Sequence, residues 1–260
     1  MKARALLAVA ALCAAAHAGE YVELPGGRFE SVLPQGAVPT VSAPVEVRPF
    51  AMQAKPVTVG EYLAFVTAHP QWQKSRVAPI FAEKRYLSGW TSASDPGRAL
   101  SPRSPVVDVS WFAAKAYCES EGARLPTWIE WEYAAAADET RRDARADPAL
   151  RRRILAWYER PGSAPLDAVG AAANAYGISD LHGLVWEWVD DFNALFIAGD
   201  SRTQGDPDLL KFCGAGAINI IDRDSYAVLM RIALLSSLNA ADTTSTLGFR
   251  CVRPLHGTPP

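Results

Sequence analysis

Residues 105–137 read Pro-Val-Val-Asp-Val-Ser-Trp-Phe-Ala-Ala-Lys-Ala-Tyr-Cys-Glu-Ser-Glu-Gly-Ala-Arg-Leu-Pro-Thr-Trp-Ile-Glu-Trp-Glu-Tyr-Ala-Ala-Ala-Ala, and this stretch decides the fold. Pro105–Val109 reads as a buried strand running into a short helix. Ser110 is the expected N-cap, because its hydroxyl can accept from the first-turn amides. Trp111, Ala114 and Cys118 then share one helical face by their spacing. Gly122 ends the helix, where a left-handed residue costs least without a Cβ. Thr127 and Glu130 form a capping box, each side chain reaching the other's backbone N–H. A second helix follows, carrying Trp131 and the alanine run 134–137.

These residues also carry a resemblance. Val-Ser-Trp, Ala-Tyr-Cys, Arg-Leu-Pro-Thr and Glu-Trp-Glu-Tyr-Ala-Ala, in this order, resemble the formylglycine-generating enzyme (sulfatase-modifying factor) superfamily. Two further blocks agree: Asn174-Ala175-Tyr176-Gly177-Ile178-Ser179-Asp180-Leu181-His182-Gly183-Leu184-Val185-Trp186-Glu187-Trp188, and Leu247-Gly248-Phe249-Arg250-Cys251. The resemblance covers nearly the whole chain. It implies a loop-rich α+β domain of the C-type-lectin-like kind. It implies function far less, because function lives in a site grafted on a scaffold.

Composition fits that reading. The chain has 260 residues and 49% hydrophobic content, enough for one sizeable core. Its 19 prolines and 18 glycines point to many loops. Lys2 and Arg4 precede an apolar run from Ala5 to Ala16, and Ala16-His17-Ala18 fits a small-x-small cleavage site. The expected division is therefore a signal peptide over 1–18 and one domain over 19–260, periplasmic or secreted. The apolar run is short of the roughly 20 residues a membrane span needs. Losing Lys2 and Arg4 takes the formal charge from −2 to −4, which does not suit a nucleic-acid partner. Export favours disulfides, and Cys118, Cys213 and Cys251 remain after Cys13 is removed.

Along the chain, Glu20–Phe29 reads as an opening strand with Gly26-Gly27 as its turn, and 44–52 as another strand. Thr58 with Glu61 is a second capping box, starting a helix whose stripe is Tyr62, Phe65 and Val66. His69–Arg103 is long and irregular, and either serves function or wraps the domain. Residues 138–160 depart from the family pattern. Asp147 as N-cap and Pro148 at the first position start an arginine-rich helix with a Leu150, Ile154, Trp157 stripe. It is either a partner-docking helix or a helix lying on its own domain with a solvated basic face. The chain closes with an apolar segment around Leu229–Leu235 and a strand over Gly248–Arg253.

What the resemblance implies about chemistry is then tested against the residues. The family's catalysts hold copper(I) on two cysteines five residues apart, and thiolates suit that soft ion. The matching positions fall near Asp222 and Ala227, and residues 219–237 contain no cysteine, so the copper(I) site is absent. Iron-binding relatives use a separate histidine-bearing helical domain, whereas this chain has only His17, His69, His182 and His256. His182 reads as a satisfied structural residue. Calcium, held by hard oxygen ligands, is the family's structural ion. Leu184 replaces the asparagine of one calcium site and the 138–160 insert replaces the loop of the other, which leaves both sites doubtful. No cofactor or metal is predicted.

The family pattern pairs the cysteine of Ala-Tyr-Cys with that of Gly-Phe-Arg-Cys, here Cys118 with Cys251. Its second pair is missing at both ends, at about Ala135 and Ile232. By the same resemblance Trp186, Asp222, Arg223, Tyr226 and Arg231 line the groove. These would bind peptide or transfer protons, or else form a salt-bridged surface cluster. Cys213 is either a reactive thiol or a small buried hydrophobe. The Cys213-Gly214-Ala215-Gly216 turn more weakly resembles accessory factors of copper nitrite reductases. The expected function is a periplasmic accessory or maturation factor that binds a protein client, such as a copper or denitrification enzyme. The alternative is an oxygen-dependent oxidoreductase with a centre other than two cysteines, as in the relatives that oxidise the pyoverdine chromophore.

Overall fold

Gly26 and Gly27 both adopt positive φ, at 67° and 123°, and a Cβ on Gly26 would lie 2.2 Å from the Val47 carbonyl oxygen. Only glycine fits that corner. It divides the expected opening strand in two and sends the halves into different sheets. The structure, a computed structural model, describes residues 19–33, 44–160, 165–195 and 226–255. Strand β1 (Tyr21–Leu24) pairs antiparallel with β4 (Phe50–Gln53), and β4 pairs antiparallel with β7 (Val252–Pro254). Strand β2 (Gly27–Phe29) pairs with β3 (Val45–Val47) in a separate ribbon. Strand β5 (Trp186–Glu187) pairs in parallel with β6 (Leu247–Gly248).

Three more expected strands differ from what is found. The 44–52 strand is two strands, β3 and β4. The closing strand breaks into β6 and β7, with Phe249, Arg250 and Cys251 between them all buried. Pro105–Val109 forms no ladder strand, only a bridge between Thr58 and Pro105. Asp108 has φ 56° and breaks the extended run, so its backbone bonds go to separate partners. Its N–H donates to Thr244 and its carbonyl accepts from Leu87.

The helices follow their caps. In α1 (Val59–Ala68) the Glu61 N–H donates to Thr58 Oγ1 at 3.2 Å, and the Thr58 N–H donates to Glu61 Oε2 at 2.8 Å. Thr127 and Glu130 close the same box on α3 (Trp128–Ala135). Ser110 caps α2 (Trp111–Ser120), and Gly122, at φ 65°, follows its end. The buried face of α2 is Ala113, Ala114, Tyr117 and Cys118. Trp111 sits at its rim, where the indole N–H donates to the Val189 carbonyl. Asp147 caps the insert helix α4 (Pro148–Tyr158). The apolar segment near Leu229–Leu235 is helix α5 (Tyr226–Ser236).

One core joins these elements apart from α4, whose Leu150 and Ile154 belong to a separate small cluster. Trp128, Trp131, Trp188, Phe50, Tyr62 and Phe249 are its largest fully buried members. Cys118 of α2 is bonded to Cys251, with Cα atoms 5.5 Å apart. Ala135 and Ile232 are both buried apolar residues. Between His69 and Arg103 only Pro70–Trp72 forms a helical turn. Tyr86, Leu87 and Trp90 of that stretch are buried, so it wraps the domain. Among the described residues no helix is long and apolar enough to cross a membrane.

Candidate functional site

The second signature block and the Phe249–Cys251 segment meet in a buried polar centre. Glu187 and Arg250 are both fully buried and paired at 2.8 Å. Glu187 Oε2 also accepts from Arg250 Nε at 2.9 Å and from the Trp131 indole at 2.8 Å. The remaining Arg250 donors reach the carbonyls of Gln53 and Ser179. A buried charge needs this density of partners. Nearby, the Glu132 carboxylate takes the Ser31 hydroxyl, the Val32 N–H and the Trp128 indole. Burial pushes its carboxyl above the usual range in spite of those donors.

Arg231 departs from its expected place on a groove wall. It is 2% exposed, and its guanidinium lies 3.6 Å over the Trp131 ring. It donates to the Glu187 carbonyl, while its Nε has no partner among the described residues. Desolvation lowers its pKa to about 10, which still leaves it charged at neutral pH. The π face of Trp131 takes the place of a carboxylate. Arg231 is therefore an internal support between α5, α3 and β5.

Trp186 is half-buried, and what covers it is the insert. Tyr158 stacks on it with ring centroids 4.9 Å apart and planes at 20°, and Trp157 packs beside it, also at 4.9 Å. Helix α4 thus lies on its own domain, with Leu150 and Ile154 buried and Arg152 exposed. Neither Trp157 nor Tyr158 was a site candidate by sequence, although the Leu150–Ile154–Trp157 stripe carried the signal. Tyr226 opens α5, and its side chain lies outside the described part of the molecule. Asp222, Arg223 and Cys213 lie outside the described residues.

Beneath α4 is a cavity of about 450 Å³, bounded on its other side by residues 171–183. His182 and Trp157 are both among its lining residues. The His182 Nε2 lies 3.1 Å from the Ala135 carbonyl, and the ring meets Trp131 edge to face. Burial, with the charge of Arg231 nearby, holds its pKa down to about 4, so the ring is neutral at physiological pH.

The donor set does not fit a bis-thiolate copper centre. Residues 219–237 contain no cysteine. The part of that segment within α5 turns Arg231, Ile232 and Leu235 inward. The two described cysteines are consumed by the disulfide. For calcium, Leu184 is a buried apolar side chain without an oxygen. Among the described residues no three His, Cys, Asp or Glu side chains converge as a metal site.

Residues 9–255 match the family model described as the sulfatase-modifying factor enzyme 1-like domain. The chain belongs to this family. It is 30% identical to the formylglycine-generating enzyme of Streptomyces coelicolor over 88% of each chain. It is 26% identical to the inactive C-alpha-formylglycine-generating enzyme 2 of Bos taurus, over 92% of this chain and 89% of that one. It is 32% identical to hercynine oxygenase of Mycobacterium tuberculosis over 55% of this chain, which is 38% of that protein. The sulfatase-modifying factor scaffold, a single domain of mixed helix and strand, is therefore common to relatives named as active and as inactive. The site has to decide between them.

Proposed function

We propose that this protein is an exported, periplasmic member of the sulfatase-modifying factor family that binds a protein client and does not make formylglycine. The carrying observation is the absence of any cysteine in residues 219–237, where the family's copper thiolates belong. Helix α4, an amphipathic segment that covers Trp186 and walls a cavity, is consistent with this reading. The client is of the kind an accessory or maturation factor serves, and copper or denitrification enzymes are the first to test.

The test is direct. Pure protein is incubated with copper, oxygen and a sulfatase-motif peptide, and the peptide cysteine is followed by mass spectrometry. No mass loss is expected; turnover above a heat-killed control overturns the reading. A second reading, an oxidoreductase with a different centre, is favoured by the partial identity to hercynine oxygenase. A stoichiometric redox metal or organic cofactor in protein purified from its native periplasm would support that second reading over the first.

A further inference from the structure

Helix α4 is anchored by a small apolar cluster of its own: Ala144, Leu150 and Ile154, with Leu155 and Tyr158 against them. It does not close flush on the residue 171–183 wall, and the cavity of about 450 Å³ remains between them. That size lies within the roughly 300–1,000 Å³ of small-ligand sites. Its apolar surface comes from Leu150, Ile154, Trp157, Ile178 and Leu181.

The charged groups around the cavity are already matched. Arg153 is held by Glu139 at 2.7 Å, and Asp138 accepts from Arg141 and Thr140. Arg160 faces Asp167 at 3.7 Å. Asp180 takes the backbone N–H groups of Gly170 and Ala171 at 2.6 and 3.2 Å. His182 is different. Its Nε2 must carry the proton it gives to the Ala135 carbonyl, since a carbonyl only accepts. In a neutral imidazole the other nitrogen, Nδ1, is then an acceptor. No described residue donates to it, and His182, which is partly exposed, lines the cavity.

A largely apolar chamber whose charged groups have protein partners, and whose His182 offers an acceptor, suits a specific chemistry. We infer that the cavity beneath α4 receives a neutral aromatic ring bearing one hydrogen-bond donor, a tyrosine or tryptophan side chain presented by the protein client. The source of the ring rests on the client reading above; the ring chemistry rests on the cavity alone. Tyr and Trp are the side chains that bury a large apolar body and still need a partner for one O–H or N–H.

The experiment uses the mature chain, with amide chemical shifts followed during titration with p-cresol, indole and toluene. p-Cresol and indole should shift the signals of Ile154 and His182, and toluene should bind about tenfold more weakly for want of a donor. Ala172 and Ala156 are exposed and line opposite walls, so Ala172→Trp and Ala156→Trp fill the cavity without entering the core. Either variant should abolish the shifts while its melting stays close to wild type. Equal binding of toluene and p-cresol, or unchanged binding to both filled variants, overturns the assignment. Blocked Gly-Tyr-Gly and Gly-Trp-Gly peptides form the second arm and should bind better than Gly-Phe-Gly. If the free rings bind and neither peptide does, the client side chain is overturned as occupant. Failure of every ring overturns the cavity and leaves the client reading to the formylglycine and cofactor tests.

Discussion

Glu187→Gln is the substitution whose cost follows most directly from the geometry. The glutamine keeps the shape and removes the charge. Its carboxylate predecessor takes three donors, two from Arg250 and one from the Trp131 indole. An amide can accept on one oxygen only, so its NH₂ is forced against another donor. Arg250 is left fully buried without a counter-charge, and Arg231, 2% exposed, already stands beside it on Trp131. Removing one partner of a buried pair costs about 3–5 kcal/mol. At about 2–4 °C per kcal/mol for a chain of this size, the melting midpoint should fall by roughly 6–20 °C. Urea unfolding should show the same loss as a lower midpoint with an unchanged slope. The double change Glu187→Met with Arg250→Met should lose less than the sum of the single changes, because it strands no charge. A loss under about 1 kcal/mol in Glu187→Gln, the worth of an exposed pair, would refute the reasoning.

The Cys118–Cys251 bond closes a span of 133 residues. In the chain-entropy model this constrains the unfolded state by about 5 kcal/mol, so a Cys118→Ala, Cys251→Ala protein should unfold at much lower urea, and an equal midpoint would contradict the model. His182 has a folded pKa of about 4, against about 6.5 when unfolded. The unfolded chain therefore gains a proton between those values that the folded chain does not. Stability should be unaffected above pH 6.5 and should fall as pH drops toward 4, by at most about 3 kcal/mol. His182→Gln should flatten that slope, and a slope that survives it assigns the effect elsewhere. Arg231→Ala removes the stack on Trp131 and the donor to the Glu187 carbonyl. It should cost about 2–3 kcal/mol, with Arg231→Lys a poor rescue because it lacks the planar fork. A wild-type melting curve for Arg231→Ala would return Arg231 to the groove surface.

What could be read from the sequence was what is encoded locally. Thr58 with Glu61 and Thr127 with Glu130 specify helix starts within four residues, and both boxes formed. Asp147-Pro148 marked α4 in the same way. Strands of two to four residues carry too little alternation to be bounded, and their register comes from distant partners such as Trp186 with Leu247. The groove was harder still. An arginine among apolar residues reads as a surface group, yet Arg231 is buried because Trp131 and the Glu187 carbonyl, far away in the chain, receive it. Nothing local to Trp186 announces that Trp157 and Tyr158 will cover it.

These contacts make a case about metal that a melting curve can test. The Glu187–Arg250 pair ties β5 to the segment before β7, and Glu132 ties α3 to Ser31 and Val32. The disulfide locks α2 to the same segment, and Arg231 and Ile232 seat α5 against the core. Each junction is closed by protein groups. Among the described residues no three His, Cys, Asp or Glu side chains converge, and Asp138 and Asp180 already accept from Thr140, Arg141 and two backbone N–H groups. A structural ion present at 100 times its dissociation constant would add about 2.7 kcal/mol, or roughly 5–11 °C of melting temperature. The protein should therefore melt at the same temperature before and after dialysis against EGTA and bathocuproine disulfonate. A fall of about 5 °C that calcium restores would place an ion site in this fold. A fall that only copper(I) restores would reopen the thiol question at Cys213, which is not one of the two cysteines of the disulfide.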